Sequence, residues 1–262
     1  MSAPATPPPA LEVRDVGVSF GGVRALDGVS CEVRQGELCG LVGPNGAGKT
    51  TLFNCVTRLY QVSQGDIRFQ GESITTKRKR EIVGLGIART FQNLGVYGKM
   101  SVLDNILVGT HHARPDGFFT PIANPLRAAA EERRAIDWCR RILADLELEH
   151  FADHSAGDLP YGTLKRIEIA RALAAKPRLL LLDEPAAGLT QGEVVAFGAM
   201  VQRIRERFGV TILLVEHNMR LVMSLCERII VLHLGRKLCE GTAAEVQRDE
   251  RVVAAYLGGA VT

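Results

Sequence analysis

Little of this sequence is aromatic, and almost none of its charge is unbalanced. Phe, Tyr and Trp together supply 5% of 262 residues, too few for a surface on which single-stranded nucleic acid stacks. With 32 basic residues against 29 acidic ones the net charge is +3, which excludes a dominant polyanion-binding face and gives no reason to expect a nucleic-acid partner. No apolar run approaches the roughly 18 residues that a membrane-spanning helix needs. The longest clean stretches, such as residues 179–182, are strand-sized. The opening MSAPATPPPA has neither a basic n-region nor an apolar core, so it is not a signal peptide and reads as a disordered tail over residues 1–10. Cys31, Cys39, Cys55, Cys139, Cys226 and Cys239 form no CxxC pair and stand among apolar neighbours, the pattern of reduced core thiols in a cytosolic chain.

What is present is a large apolar fraction, 46%, enough for one α/β domain with a subdomain. LEVRDVGVSF, GGVRAL, VSCEV and ELCGLVG read as strands and turns over residues 11–42, and a helix is expected over residues 48–60 from the spacing of Leu52, Cys55, Val56 and Leu59. From residue 93 to 165 the pattern turns helical (VLDNILVG, then AAAEERRAIDWCRRILADLEL), with the loop HHARPDGFFTPIANP between. LLLLD, TILLVE and IIVLHLG then return as strands, the first two each behind a helical stretch, which is the signature of a parallel sheet covered by helices. The expected organisation is an α/β core of residues 11–92 and 166–262, interrupted by a helical subdomain over 93–165.

Gly43-Pro44-Asn45-Gly46-Ala47-Gly48-Lys49-Thr50 fits G-x-x-x-x-G-K-[ST], between an expected strand and an expected helix. Glycines let successive backbone N–H groups converge on phosphate oxygens, and the helix that follows points its positive end at the same place. Lys49 can reach the β- and γ-phosphates, and the Thr50 hydroxyl can ligate Mg²⁺. Taken singly, this loop says only NTPase or nucleotide kinase.

Four further stretches narrow the reading. Leu179-Leu180-Leu181-Leu182-Asp183-Glu184 is a buried-strand pattern ending in two carboxylates, one suited to a Mg²⁺ shell and one to polarising a water aimed at the γ-phosphate. His217 follows the strand 211–216, a place where a lone histidine is more often structural than catalytic. Gln92 lies in Arg89-Thr90-Phe91-Gln92, where the core pattern gives way to the insertion. Leu159-Pro160-Tyr161-Gly162-Thr163-Leu164-Lys165-Arg166 precedes the helical run IEIARALAAKP.

In that order, these elements resemble the ATP-binding cassette of ABC transporters over essentially the whole chain after the tail. The resemblance implies an ABC-type P-loop NTPase fold with an inserted α-helical subdomain and an N-terminal antiparallel β-rich part. Residue by residue, the loop glycines Gly43, Gly46 and Gly48, with Asn45, Ala47, Lys49, Thr50 and Thr51, resemble Walker A. Asp183 matches the Walker B aspartate, Glu184 the catalytic glutamate, Gln92 the Q-loop glutamine and His217 the switch histidine. Phe20 matches the aromatic that stacks on adenine; without the resemblance it reads equally well as a core strand residue. The implied cofactors are ATP and Mg²⁺, the ion held by Thr50, Gln92 and Asp183. The implied partners are a second cassette, identical or sibling, transmembrane permease subunits that the chain serves from the inner face of the membrane, and indirectly a periplasmic binding protein.

The family signature LSGGQ is replaced by LPYGT. Pro160 stands where a hydroxyl is usual, Tyr161 where the first glycine is usual, and Thr163 at the glutamine position; Gly162 keeps the backbone anion site at the helix start. Thr190 takes a place where the family often has aspartate. LPYG, IEIARAL, DEPAAGL and EHNM, together with GIARTFQN, MSVLDNILVG and the C-terminal AAYLGG, resemble the branch that powers branched-chain amino acid import. Cassettes that serve urea, aromatic acids or lipopolysaccharide share parts of the pattern, and a non-transport ABC ATPase or a small-molecule kinase are the competing classes. The remaining features read blandly. Lys77-Arg78-Lys79-Arg80 is a solvated helix end, His111-His112 a flexible loop without metal spacing, and Trp138 a core residue of the helical subdomain. The Glu/Arg pattern of 128–148 suits a solvent-facing side.

Overall fold

In β1 (Leu11–Phe20) the side chains of Leu11, Val13, Val16 and Val18 are buried, and the strand pairs antiparallel with β2 (Val23–Val33). The chain then leaves this sheet for β3 (Leu38–Val42) and returns with β4 (Gln64–Phe69) and β5 (Glu72–Ser73), completing an antiparallel sheet in the order β2-β1-β4-β5. The structure, a computed structural model, describes residues 8–90, 95–113 and 125–257.

The second sheet is mostly parallel. Its order is β10-β9-β3-β8-β7-β6, with β6 (Ile87–Arg89), β7 (Leu179–Asp183), β8 (Thr211–Val215) and β9 (Arg228–His233) parallel to β3, and β10 (Arg236–Gly241) antiparallel at the edge. All five residues of β3, β7 and β8 are buried, which happens when both faces of a parallel sheet are covered. One face (Cys39, Leu41, Leu179, Leu181, Leu213, Val215) packs with the antiparallel sheet and with α1 (Lys49–Val56). The other (Leu38, Val42, Leu180, Leu182, Ile212, Leu214) packs under the helices. Helix α2 (Lys79–Leu85) joins the first face through Ile82 and Leu85, and the helices over the second are α3 (Val102–Leu107), the 3₁₀ turn Val108–Ala113, α4 (Pro125–Asp145), α5 (Tyr161–Ala174), α6 (Gln191–Phe208), α7 (Met219–Leu225), α8 (Ala243–Arg248) and α9 (Glu250–Leu257).

Several expectations need correction. The helix read over residues 48–60 ends at Val56: Arg58 turns into the left-handed region at φ 58, and the N–H groups of Leu59 and Tyr60 both return to the Asn54 carbonyl. The tail is shorter than ten residues, since Ala10 is 2% exposed and its carbonyl accepts from Gln70 N, while Pro8 O accepts from Gln35; residues 1–7 lie outside the described residues. His111 sits in a 3₁₀ turn, not a loop. Helix α4 exposes its Glu/Arg side but buries Cys139, Ile142 and Leu143 against α3 and α5. Trp138 is only half-buried and spans the seam to the core, donating to Ala174 O and meeting Phe208 edge-on at 5.7 Å. Helix α5 runs unbroken past residue 165, where the subdomain boundary was read. The cysteines are all free, and burial pushes the Cys55 and Cys139 thiols up to about 11.

Arg228 joins the two sheets. From the start of β9 its guanidinium donates to both carboxylate oxygens of Glu37, at 2.8 and 3.0 Å, and to Glu32 O at the end of β2. The pair is largely buried, with side chains 11% and 6% exposed. Burial pushes Glu37 up, but the bonds from Arg228 and from Arg34 N outweigh it and hold the carboxyl below its usual value. A depressed carboxylate stabilises the fold above its unfolded value of about 4.3 and loses that contribution as pH falls through the folded one. Arg228→Met should therefore lower unfolding free energy by about 3–5 kcal/mol at pH 7. In urea titrations the gap to the wild type should shrink below about pH 4; a gap independent of pH would mean that the ion pair is not its source.

Candidate active site

Because β3, β8 and β7 are adjacent and parallel, their C-terminal ends share one edge of the sheet, the usual place for ligands in such sheets. Three chain segments leave there: residues 43–48 from β3, 183–187 from β7 and 216–218 from β8.

The loop after β3 is shaped by its glycines. A Cβ on Gly43 would lie 2.2 Å from Leu232 O, and one on Gly48 would lie 2.7 Å from Leu26 and 2.8 Å from Ala25 O. Both glycines are required for the loop to lie against β9 and β2, whatever binds above it. Gly46, at φ 77, is exposed and faces open space, as does Asn45, while Ala47 is buried underneath. Gly48 is the last residue before α1, so the helix's first N–H groups point into the loop. Lys49 is 8% exposed and its Nζ donates to Gly43 O at 2.7 Å and Pro44 O at 3.0 Å. Burial lowers its pKa, against the pull of Glu184 and Asp183, whose negative charges raise it. Thr50 is exposed on the solvent side and Thr51 is half-buried.

Asp183 ends β7 at 1% exposure. Its Oδ2 accepts from Arg89 Nη2 at 2.6 Å, its N–H donates to Thr90 Oγ1, and its Oδ1 is buried with no hydrogen-bond partner among the described residues. A buried carboxylate oxygen in that condition suits a cation. Arg89, which the sequence offered only as part of the stretch before Gln92, also donates to Asn54 Oδ1 at 2.6 Å and lies 5.5 Å from the Phe53 ring centre. It fastens the helix behind the loop to the strand that carries Asp183.

Glu184 adopts φ 47, a left-handed conformation that costs about 1–2 kcal/mol for a residue with a Cβ. Its N–H is held by Val215 O at 2.9 Å, and its carbonyl closes a turn onto Ala187 N. The carboxylate thus faces His217, with 3.5 Å between Oε1 and Nδ1. The loop, Asp183, Glu184 and His217 are brought to one edge. Phe20 is 46% exposed and packs edge-on against Tyr60 at 5.0 Å, so it is a presented ring and not a core strand residue. Gln92 lies outside the described residues.

Gly162 is the second residue of α5, behind the N-cap Pro160. No hydrogen bond among the described residues links it to residues 43–50. Tyr161 takes up the room next to it: a Cβ on Gly188 would come within 3.0 Å of the Tyr161 ring, and Lys165 Nζ lies 5.6 Å from that ring's centre. Thr190 caps α6, with its N–H and hydroxyl held by Glu193. Beside Arg89, a cavity of about 250 Å³ opens between α2, β6, the 3₁₀ turn and α5, lined by Thr57, Ile82, Ala88, Gly109, Arg171 and Ala172. Among the described residues no helix is long and apolar enough to cross a membrane, and no cluster of His, Cys, Asp and Glu makes a separate metal site.

Comparisons with known proteins agree with this geometry. The family model for ABC transporters matches residues 26–187, and that for the branched-chain amino acid ATP-binding cassette transporter matches residues 236–262. The high-affinity branched-chain amino acid transport ATP-binding protein BraF of Pseudomonas aeruginosa is 40% identical over 252 residues, covering 96% of this chain and 99% of that one. LivG of Escherichia coli, of the same description, is 38% identical over 256 residues, with 96% and 99% covered. Among solved structures, a nucleotide-free ATP-binding cassette from an ABC transporter superposes with a TM-score of 0.82 at 31% identity, covering 95% of this chain and 98% of that one. The ADP conformation of an ATP-binding cassette gives 0.83 at 31% identity, covering 95% and 99%. With a phosphate loop, an acidic strand end and a histidine turn on one sheet edge, and with relatives matched along nearly their full length, the chain belongs to the ABC transporter family as one of its ATP-binding cassettes.

Proposed function

We propose that this cassette hydrolyses ATP to drive import of branched-chain amino acids through a membrane permease. The observation that carries the reading is the convergence of residues 43–50, Asp183, Glu184 and His217 on one sheet edge; the substrate class comes from the relatives' names. The N–H groups of residues 46–51 and Lys49 hold the phosphates, and Phe20 receives the adenine ring. Thr50 and Asp183, with Gln92, hold Mg²⁺. When bound, the ion neutralises charge on the phosphates. Glu184 orients the attacking water, and His217 contacts the γ-phosphate from the neighbouring turn.

One chain supplies half of each composite site. Gly162, at the start of α5, faces the nucleotide held by a second cassette, its backbone N–H acting as an anion site. ATP binding closes such a pair and hydrolysis reopens it, so the permease is driven between two states. The cavity beside Arg89 lies where α5 and the start of the helical part meet the core, and it receives a cytoplasmic segment of the permease on the inner face of the membrane. A periplasmic binding protein delivers substrate from the far side and touches this chain only through the permease.

Glu184→Gln should lower ATP turnover by about 10²-fold or more, while equilibrium ATP binding persists and a closed dimer accumulates on sizing columns. Normal turnover would remove Glu184 from the reaction. Phe20→Ala should weaken ATP binding by roughly tenfold, the worth of one stacked base, with kcat unchanged; titration with a fluorescent ATP analogue measures it. In cells whose only copy carries Lys49→Ala, uptake of labelled leucine, isoleucine and valine should fall to background. Uptake that persists for all three would overturn the substrate assignment.

A further inference from the structure

Between Glu184 and His217 lies a carboxylate with no role assigned so far. Glu216 follows β8 directly and is 1% exposed. Its two oxygens serve two different segments. Oε1 accepts from Ala186 N at 2.7 Å, across 30 residues, in the turn that begins at Glu184. Oε2 accepts from His217 N at 3.2 Å and Asn218 N at 3.4 Å, at the start of the turn into α7. Among the described residues only backbone N–H groups donate to it, so its position is set by the two turns it joins.

Both turns need such a tie. Glu184 is held at φ 47, and relaxation of that residue toward negative φ would swing its carboxylate away. His217 is exposed over more than half of its side chain, so little packing fixes it; its backbone has to. Asn218 already spends its side chain capping α7, accepting from Leu221 N at 3.2 Å.

We propose that Glu216 is a positioning residue for ATP hydrolysis, its buried carboxylate clipping the 184–187 turn to the 216–218 turn and setting the separation of Glu184 and His217. The inference rests on the hydrolytic roles given above to those two residues. It also makes chemical sense of a carboxylate at this position. An ionised carboxylate only accepts, and every recorded partner is a donor. An amide in the same place would turn an NH₂ toward one of the two turns and break that side of the clip. Misplacing reacting groups by about 1 Å can cost of the order of 10²-fold in rate without any loss of binding.

The test is steady-state ATP hydrolysis by the full chain with its permease, at saturating Mg²⁺. Glu216→Gln should lower kcat between about 10- and 100-fold while the KM for ATP stays within about twofold. In a His217→Ala background the same change should cost less than it does in the wild type, because part of its effect runs through the placing of His217. A kcat within about twofold of the wild type overturns the proposal, and so does a loss that multiplies fully with that of His217→Ala. If the glutamine variant does not fold, Glu216→Asp takes its place. The shorter carboxylate still reaches His217 N and Asn218 N but not Ala186 N, so kcat should fall about tenfold. Wild-type kcat in that variant overturns the clip. Failure of the wild-type chain to hydrolyse ATP would instead count against the function proposed above.

Discussion

The buried pair of Arg89 and Asp183 is the contact on which the rest of the site depends. Two side chains at 8% and 1% exposure meet at 2.6 Å, a geometry whose desolvation cost is met only when the remaining polar atoms are also bonded. Arg89 donates through its other terminal nitrogen to Asn54 in α1. One guanidinium therefore fixes the helix behind the phosphate loop, the end of the acidic strand and the exit of β6 relative to one another. Asp183 Oδ1 has no hydrogen-bond partner among the described residues, in keeping with the cation proposed above.

Around that anchor Glu184 and His217, the groups proposed to act in hydrolysis, are held by backbone rather than by packed side chains. Glu184 is strained and His217 is exposed, yet both are within a residue or two of buried, fully paired strands. Backbone strain of this kind persists where the surroundings over-determine it. The surroundings are Val215 O, the turn to Ala187 and the Glu216 carboxylate. The signature region is built differently. Tyr161 packs on Gly188 and Thr190 caps α6, so the departures from the common family motif are used for packing between the start of α5 and the segment after Glu184. In the proposed pairing with a second cassette, Gly162 offers the helix start alone, with Pro160 where the common motif has a hydroxyl.

Much of this was legible in the sequence, and the reason differs from element to element. Residues 43–50 declare themselves because the loop conformation needs glycines at set spacing. The strands β3, β7 and β8 do so because a sheet covered on both faces needs continuous apolar runs. The end of α1 was not legible: Leu59 keeps helical spacing, but its N–H is captured by Asn54 O after the chain turns at Arg58. The buried face of α4 is masked in the sequence by its Glu/Arg side, and nothing local to Trp138 shows that its ring meets Phe208 at the end of α6.

Local features were thus determined by the sequence alone: where a glycine-rich loop joins a strand to a helix, where two carboxylates end a strand, where a histidine follows the next one, and that these belong to an ATP-binding cassette. Each is encoded in a few contiguous residues whose backbone geometry dictates their type. Tertiary structure decided the pairings: Arg89 with Asp183 across 94 residues, Ala186 with Glu216 across 30, Phe20 with Tyr60, and Tyr161 with Gly188. Such contacts follow from strand order and from how closely two backbones approach, and neither is written in any single stretch of chain.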